Sequence, residues 1–114
     1  YQDYLGITPA HDAEGCLQDV HWSAGLVGYF PTYTLGNVYG AQLFERANQD
    51  LGDVDRLMQA GEFRVLLDWL REKIHRHGKR YLPGDLVTRA TGAKPSPVAL
   101  IRTLREKLGP LYQL

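Results

Sequence analysis

The chain of 114 residues has one cysteine, no net charge and no long apolar run. Cys16 stands alone, so an internal disulfide is excluded and a reducing compartment is the simplest home. Thirteen basic residues balance thirteen acidic ones, so no overall field draws the chain to nucleic acid or an anionic membrane. The apolar runs are a few residues long, far short of the ~20 that span a bilayer. No charged segment followed by an apolar one opens the chain, so no secretory signal is read there. Neither repeats nor low-complexity tracts occur. What remains is ordinary for a globular domain, 44% hydrophobic and 23% charged. The chain opens Tyr1-Gln2-Asp3-Tyr4-Leu5 without a methionine; the expectation is a segment of a longer protein.

Helical signals dominate from residue 38 onward. Val38, Ala41, Phe44 and Ala47 carry a helix out of a Gly36-Asn37 turn to about Asp50. Asp53 caps a short helix through Leu57 and Met58, closed by Gly61. Phe63, Leu66, Leu67, Leu70 and Ile74 recur at steps of three and four, which predicts a helix over 62–76 ended by Gly78. Asp85 is expected to cap a helix through Ala90, stopped by Gly92. Ser96-Pro97 reads as an N-cap with proline at the first helical position, and Gly109-Pro110 as that helix's end. The fold class is therefore all-α. Residues 1–16 suggest a helical remnant followed by a loop at Thr8–Asp12. Residues 17–35 fit neither period, and a short extended segment is placed at 17–22.

The chemistry concentrates in Gly15-Cys16-Leu17-Gln18-Asp19-Val20-His21-Trp22 and the aromatic run behind it. On composition alone, His21 is more often a structural histidine than a catalytic one. Asp19 orients that ring only if the backbone between them is extended or looped. Tyr29, Tyr33 and Tyr39 are each more often half-buried packing than donors to a developing oxyanion. His75-Arg76-His77-Gly78-Lys79-Arg80 resembles a phosphate or metal patch, yet cations at a helix C-terminus offset its dipole, and that account is the better one. Cys16 has no neighbouring base to activate it. No ligand spacing such as His-Glu-x-x-His is present, so no metal ligands are assigned.

Gly15-x-x-Gln18-Asp19-x-His21-Trp22 resembles the Gly-x-x-Gln-Asp-x-His-Trp signature of the carboxypeptidase Taq family, the thermostable zinc metallocarboxypeptidases, with every fixed position present. The block from Gly28 to Asn37 is similar to that family's next block. Gly61-Glu62-Phe63, Trp69-Leu70-Arg71, His75-Arg76-His77-Gly78, Arg89-Ala90-Thr91-Gly92 and Leu104–Leu108 resemble its extreme C-terminus. The resemblance implies the helical C-terminal portion of a larger zincin-type enzyme. It implies a cytoplasmic homodimer with one divalent metal, zinc or cobalt, that releases single C-terminal residues from peptides with broad specificity.

The family's metal ligands lie in blocks this sequence lacks, so the resemblance implies that the segment alone binds no metal and is inactive. It divides the chain into a substrate-side wall at 15–37 and a helical remainder at 38–114. His21, Tyr29 and Tyr33 are the implied catalytic residues, with Tyr29 ahead of Tyr33, and Gln18, Asp19 and His21 the implied substrate contacts. Asp19 is expected to hold the tautomer of His21, and Trp22 to pack behind the site. Nucleic-acid and membrane partners are not expected. The rival reading is a stand-alone helical protein-interaction module.

Overall fold

Amphipathic periods of three and four residues leave the chain few ways to bury its apolar side chains other than helix against helix. The structure, a computed structural model, describes residues 1–113 and divides into two units, Tyr1–Tyr33 and Thr34–Leu114. Among the described residues no strand occurs, in keeping with the all-α expectation.

The second unit is built on α3 (Thr32–Leu51), whose first two residues belong to the first unit, with α4 (Val54–Gln59), α5 (Phe63–Lys73), α6 (Pro83–Thr91) and α7 (Val98–Tyr112). Ala47, Val54 and Trp69 form its core, with Leu43, Leu51, Leu66 and Leu70 packed against them. Trp69 is buried with its polar edge satisfied: Nε1 donates to Asp50 Oδ2 at 2.9 Å, and Arg46 Nε donates to Asp50 Oδ1 at 2.8 Å. Gln42 is the buried polar residue of α3. Its Nε2 lies 3.2 Å from Thr91 Oγ1 and from the carbonyls of Ala93 and Lys94, while Oε1 accepts from the Ser96 N–H at 3.1 Å. A buried amide stripped of such partners costs roughly 1–3 kcal/mol, so this one fixes the connection between α6 and α7.

Several boundaries differ from the sequence expectation. Helix α3 starts at Thr32, so Gly36-Asn37 is helical; a mid-helix glycine costs only about 1 kcal/mol against the residues that continue the helix on both sides. Asp53 does cap α4, its carboxylate accepting from Arg56 N–H at 2.9 Å. Helix α5 stops at Lys73, and His75–His77 form a separate 3-10 turn before Gly78. Helix α6 begins at Pro83, with Leu82 as cap and Asp85 inside the first turn, because proline's fixed φ suits a first helical position. Ser96 Oγ does accept the first N–H of α7, from Val98 at 3.3 Å, but Pro97 lies just outside that helix. Gly109-Pro110 does not end α7, which runs on to Tyr112; so near the C-terminus, the missing proline N–H removes a bond from one exposed turn.

The first unit contains α1 (Gln2–Leu5), 3-10 turns at Asp12–Glu14 and Cys16–Gln18, and the single-turn α2 (Val20–Ser23). The extended segment expected at 17–22 is absent. Only Asp19 has extended dihedrals (φ −88°, ψ 111°), because it is the residue that caps α2. Tyr1 donates its hydroxyl to the Gly15 carbonyl at 3.2 Å.

Candidate functional site

Asp19 generates the site by being a helix cap. One carboxylate oxygen, Oδ1, accepts the backbone N–H of His21 at 2.8 Å and lies 2.6 Å from His21 Nδ1. An aspartate two residues before a histidine therefore reaches the ring because both belong to one N-terminal turn, the cap satisfying an otherwise unpaired N–H. Both bonds favour the ionised carboxyl. The backbone N–H of His21 first, and its ring second, hold Asp19 below the usual carboxylate value.

The far nitrogen, Nε2, lies 3.1 Å from the Tyr33 hydroxyl. Aromatic rings enclose the imidazole. Tyr29 stacks on it at 5.6 Å between centroids and 20° between planes, whereas Phe30 and Tyr33 meet it edge-on at 5.5 Å. Tyr33 also meets both Tyr29 and Phe30 edge-on, at 5.9 and 5.6 Å. Such contacts contribute about 0.5–1.5 kcal/mol each beyond area burial, enough to hold His21 in one pose. The His21 side chain retains 15% exposure.

The structure thus brings Asp19, His21, Tyr29 and Tyr33 together, all within the first unit. Gln18 sits in the preceding turn with its side-chain nitrogen donating to the Ala13 carbonyl, and so braces the loop that presents Asp19. Trp22, carried on the single turn α2, is 70% exposed within this chain. Tyr39 lies half-buried on α3 in the second unit. Phe30 was not singled out by the sequence reading. Its signal is the Tyr29-Phe30-x-x-Tyr33 spacing, obscured by Pro31. Among the basic residues, His77 meets Tyr81 edge-on and Arg89 lies 4.6 Å from the centre of that ring, which ties that cluster to local packing.

As a metal site the arrangement does not fit. Asp19 holds one ring nitrogen of His21 and Tyr33 the other, and among the described residues no three His, Cys, Asp or Glu side chains converge. As a hydrogen-bonding wall it fits well: a ring of fixed orientation, a phenol against it, and a second phenol, Tyr29, stacked alongside. Among the described residues no helix is long and apolar enough to cross a membrane.

Residues 1–108 match the family described as Carboxypeptidase Taq (M32) metallopeptidase. The chain is 52% identical over 114 residues to Carboxypeptidase 1 of Bacillus subtilis (strain 168), covering 100% of this chain and 23% of that protein. It is 47% identical over 112 residues to Thermostable carboxypeptidase 1 of Thermus thermophilus, covering 98% of this chain and 22% of that one. Among solved structures, the M32 carboxypeptidase from Deinococcus radiodurans R1 superposes with a TM-score of 0.90 at 39% identity, covering 100% of this chain and 23% of that chain. The chain spans less than a quarter of the length of the relatives it matches.

Proposed function

The chain belongs to the carboxypeptidase Taq (M32) metallopeptidase family, and from this premise we propose that it is the C-terminal portion of a metal-dependent carboxypeptidase. The full-length protein releases single C-terminal residues from peptides with broad specificity. It acts as a cytoplasmic homodimer and takes neither nucleic acid nor membrane as partner. Residues 15–37 supply the substrate-side wall and residues 38–114 the helical support. The metal, zinc or cobalt, is held by residues outside this sequence.

One observation carries this reading: His21 is clamped between Asp19 and Tyr33 in the middle of an aromatic box. When a peptide bond is cleaved, negative charge develops on the carbonyl oxygen, and a preplaced donor lowers the barrier by roughly 3 kcal/mol. His21, Tyr29 and Tyr33 line the reacting peptide, and a phenol among them supplies that donor. Asp19 fixes the imidazole and braces the substrate side, and the amide oxygen of Gln18 accepts from the substrate main chain while its nitrogen holds Ala13.

In the full-length protein, His21→Ala is expected to lower kcat/KM at least about tenfold with metal content unchanged; a variant with undiminished kcat/KM would reduce His21 to packing. The 114-residue chain by itself, supplied with zinc or cobalt, is expected to leave an N-blocked dipeptide intact. Turnover by that chain sinks the assignment of the metal to residues elsewhere.

A further inference from the structure

The protons around His21 can be assigned from its partners. Asp19 Oδ1 receives the backbone N–H of His21 at 2.8 Å and sits 2.6 Å from Nδ1. An ionised carboxylate only accepts, so the hydrogen between Asp19 and the ring belongs to Nδ1. In a neutral imidazole the other nitrogen is then an acceptor, and the group facing it is a hydroxyl able to donate, Tyr33 at 3.1 Å. Tyr33 is itself held edge-on by Tyr29 and Phe30. Tyr29 differs from Tyr33. Its ring lies against the face of the imidazole, and its hydroxyl has no hydrogen-bond partner among the described residues.

We propose that Nε2 of His21 is a masked acceptor: Tyr33 occupies it in the free protein, and a peptide N–H of the substrate takes the place of the Tyr33 hydroxyl on binding. A neutral imidazole that presents an acceptor cannot meet a carbonyl oxygen that is gaining negative charge. His21 is therefore a clamp on the substrate main chain, Tyr33 a positioning residue that keeps the clamp closed, and the Tyr29 hydroxyl the donor to the carbonyl oxygen. The exchange at Nε2 replaces one O–H donor by one N–H donor, so no buried polar group is left unpaired at either stage. The identity of the incoming donor rests on the carboxypeptidase reading; the masked acceptor does not.

The test uses the 114-residue chain labelled with 15N. Long-range 15N–1H correlation is expected to show hydrogen on Nδ1 of His21 and Nε2 bare. A spectrum with hydrogen on Nε2, in either the neutral or the doubly protonated ring, overturns the proposal without any variant. Carbethoxylation by diethyl pyrocarbonate, which attacks an unprotonated ring nitrogen, supplies the second arm. Mass-mapped modification of His21 is expected to speed up at least about threefold in Tyr33→Phe and to stay at the wild-type rate in Tyr29→Phe, since only the first removes the hydrogen bond to Nε2. An unchanged rate in Tyr33→Phe, or a rise shared by His11 in the same unit, overturns masking by Tyr33. Failure of the full-length protein as a peptidase, with this tautomer and this rate change intact, removes the carboxypeptidase reading and leaves the masked acceptor standing.

Discussion

At Asp19 a single carboxylate oxygen both starts a helical turn and sets the tautomer of a histidine, so the local fold and the site share one interaction. That sharing has a pH consequence. The His21 backbone N–H, and then its ring, hold the Asp19 carboxyl below its ordinary value. A carboxyl depressed in the folded chain adds stability above its unfolded value, near 3.9, and that contribution is lost as pH falls through the lower folded value. The turn is therefore expected to survive mild acid. In an NMR titration the His21 amide should report a midpoint below about 3.9, and a midpoint above it would mean that the cap is not formed in solution. The Gln-Asp-x-His pattern made Asp19 and His21 legible in the sequence. Their geometry was not, because an aspartate at i and a histidine at i+2 also meet on one face of a strand, and the single turn that Asp19 caps here leaves no period to read.

Among the elements, legibility followed length. Helix α5 showed itself through Leu66, Leu70 and their neighbours, and α4 through its aspartate cap, whereas α1 and α2 span four residues each and carry no amphipathic stripe. Of the glycine stops expected from sequence, Gly92 ends its helix, Gly78 follows a separate 3-10 turn, and Gly109 lies inside α7. Gly92 closes α6 in the left-handed region (φ 80°, ψ 1°), where asparagine is also at ease. Gly78 follows the His75–His77 turn at φ 53° and ψ −128°, a region that side chains of L-residues avoid. A Cβ at Gly78 meets nothing within 4 Å, and one at Gly92 only Arg46 Nη1 at 3.9 Å, so backbone strain alone separates the two. Gly92→Asn is expected to cost less than about 1 kcal/mol, and Gly78→Asn roughly 1–3 kcal/mol. Urea unfolding of the two variants measures the difference, and equal midpoints would show that the Gly78 turn relaxes.

Over the whole chain, burial is unevenly shared. Val54, Trp69, Val87, Ala90 and Ala99 are buried in the second unit, but over residues 1–33 only Gly15 is. In that first unit Leu17 is 67% exposed, Val20 67%, Trp22 70%, Val27 77% and Phe30 58%. Clustered apolar side chains left in water favour association at about 25 cal/mol per Å² covered, and contiguous patches of this kind seldom persist on monomers. The chain on its own has two routes open, coverage by the rest of a longer protein or coverage by copies of itself. Purified at tens of micromolar, it should show a light-scattering mass of at least about twice its 12.9 kDa. Trp22→Ser with Val27→Ser should shift it toward the monomer while leaving the far-ultraviolet helix signal in place, because both side chains are mostly in water already. A wild-type chain that stays monodisperse at 12.9 kDa would mean that the exposed side chains of the first unit find partners within their own chain.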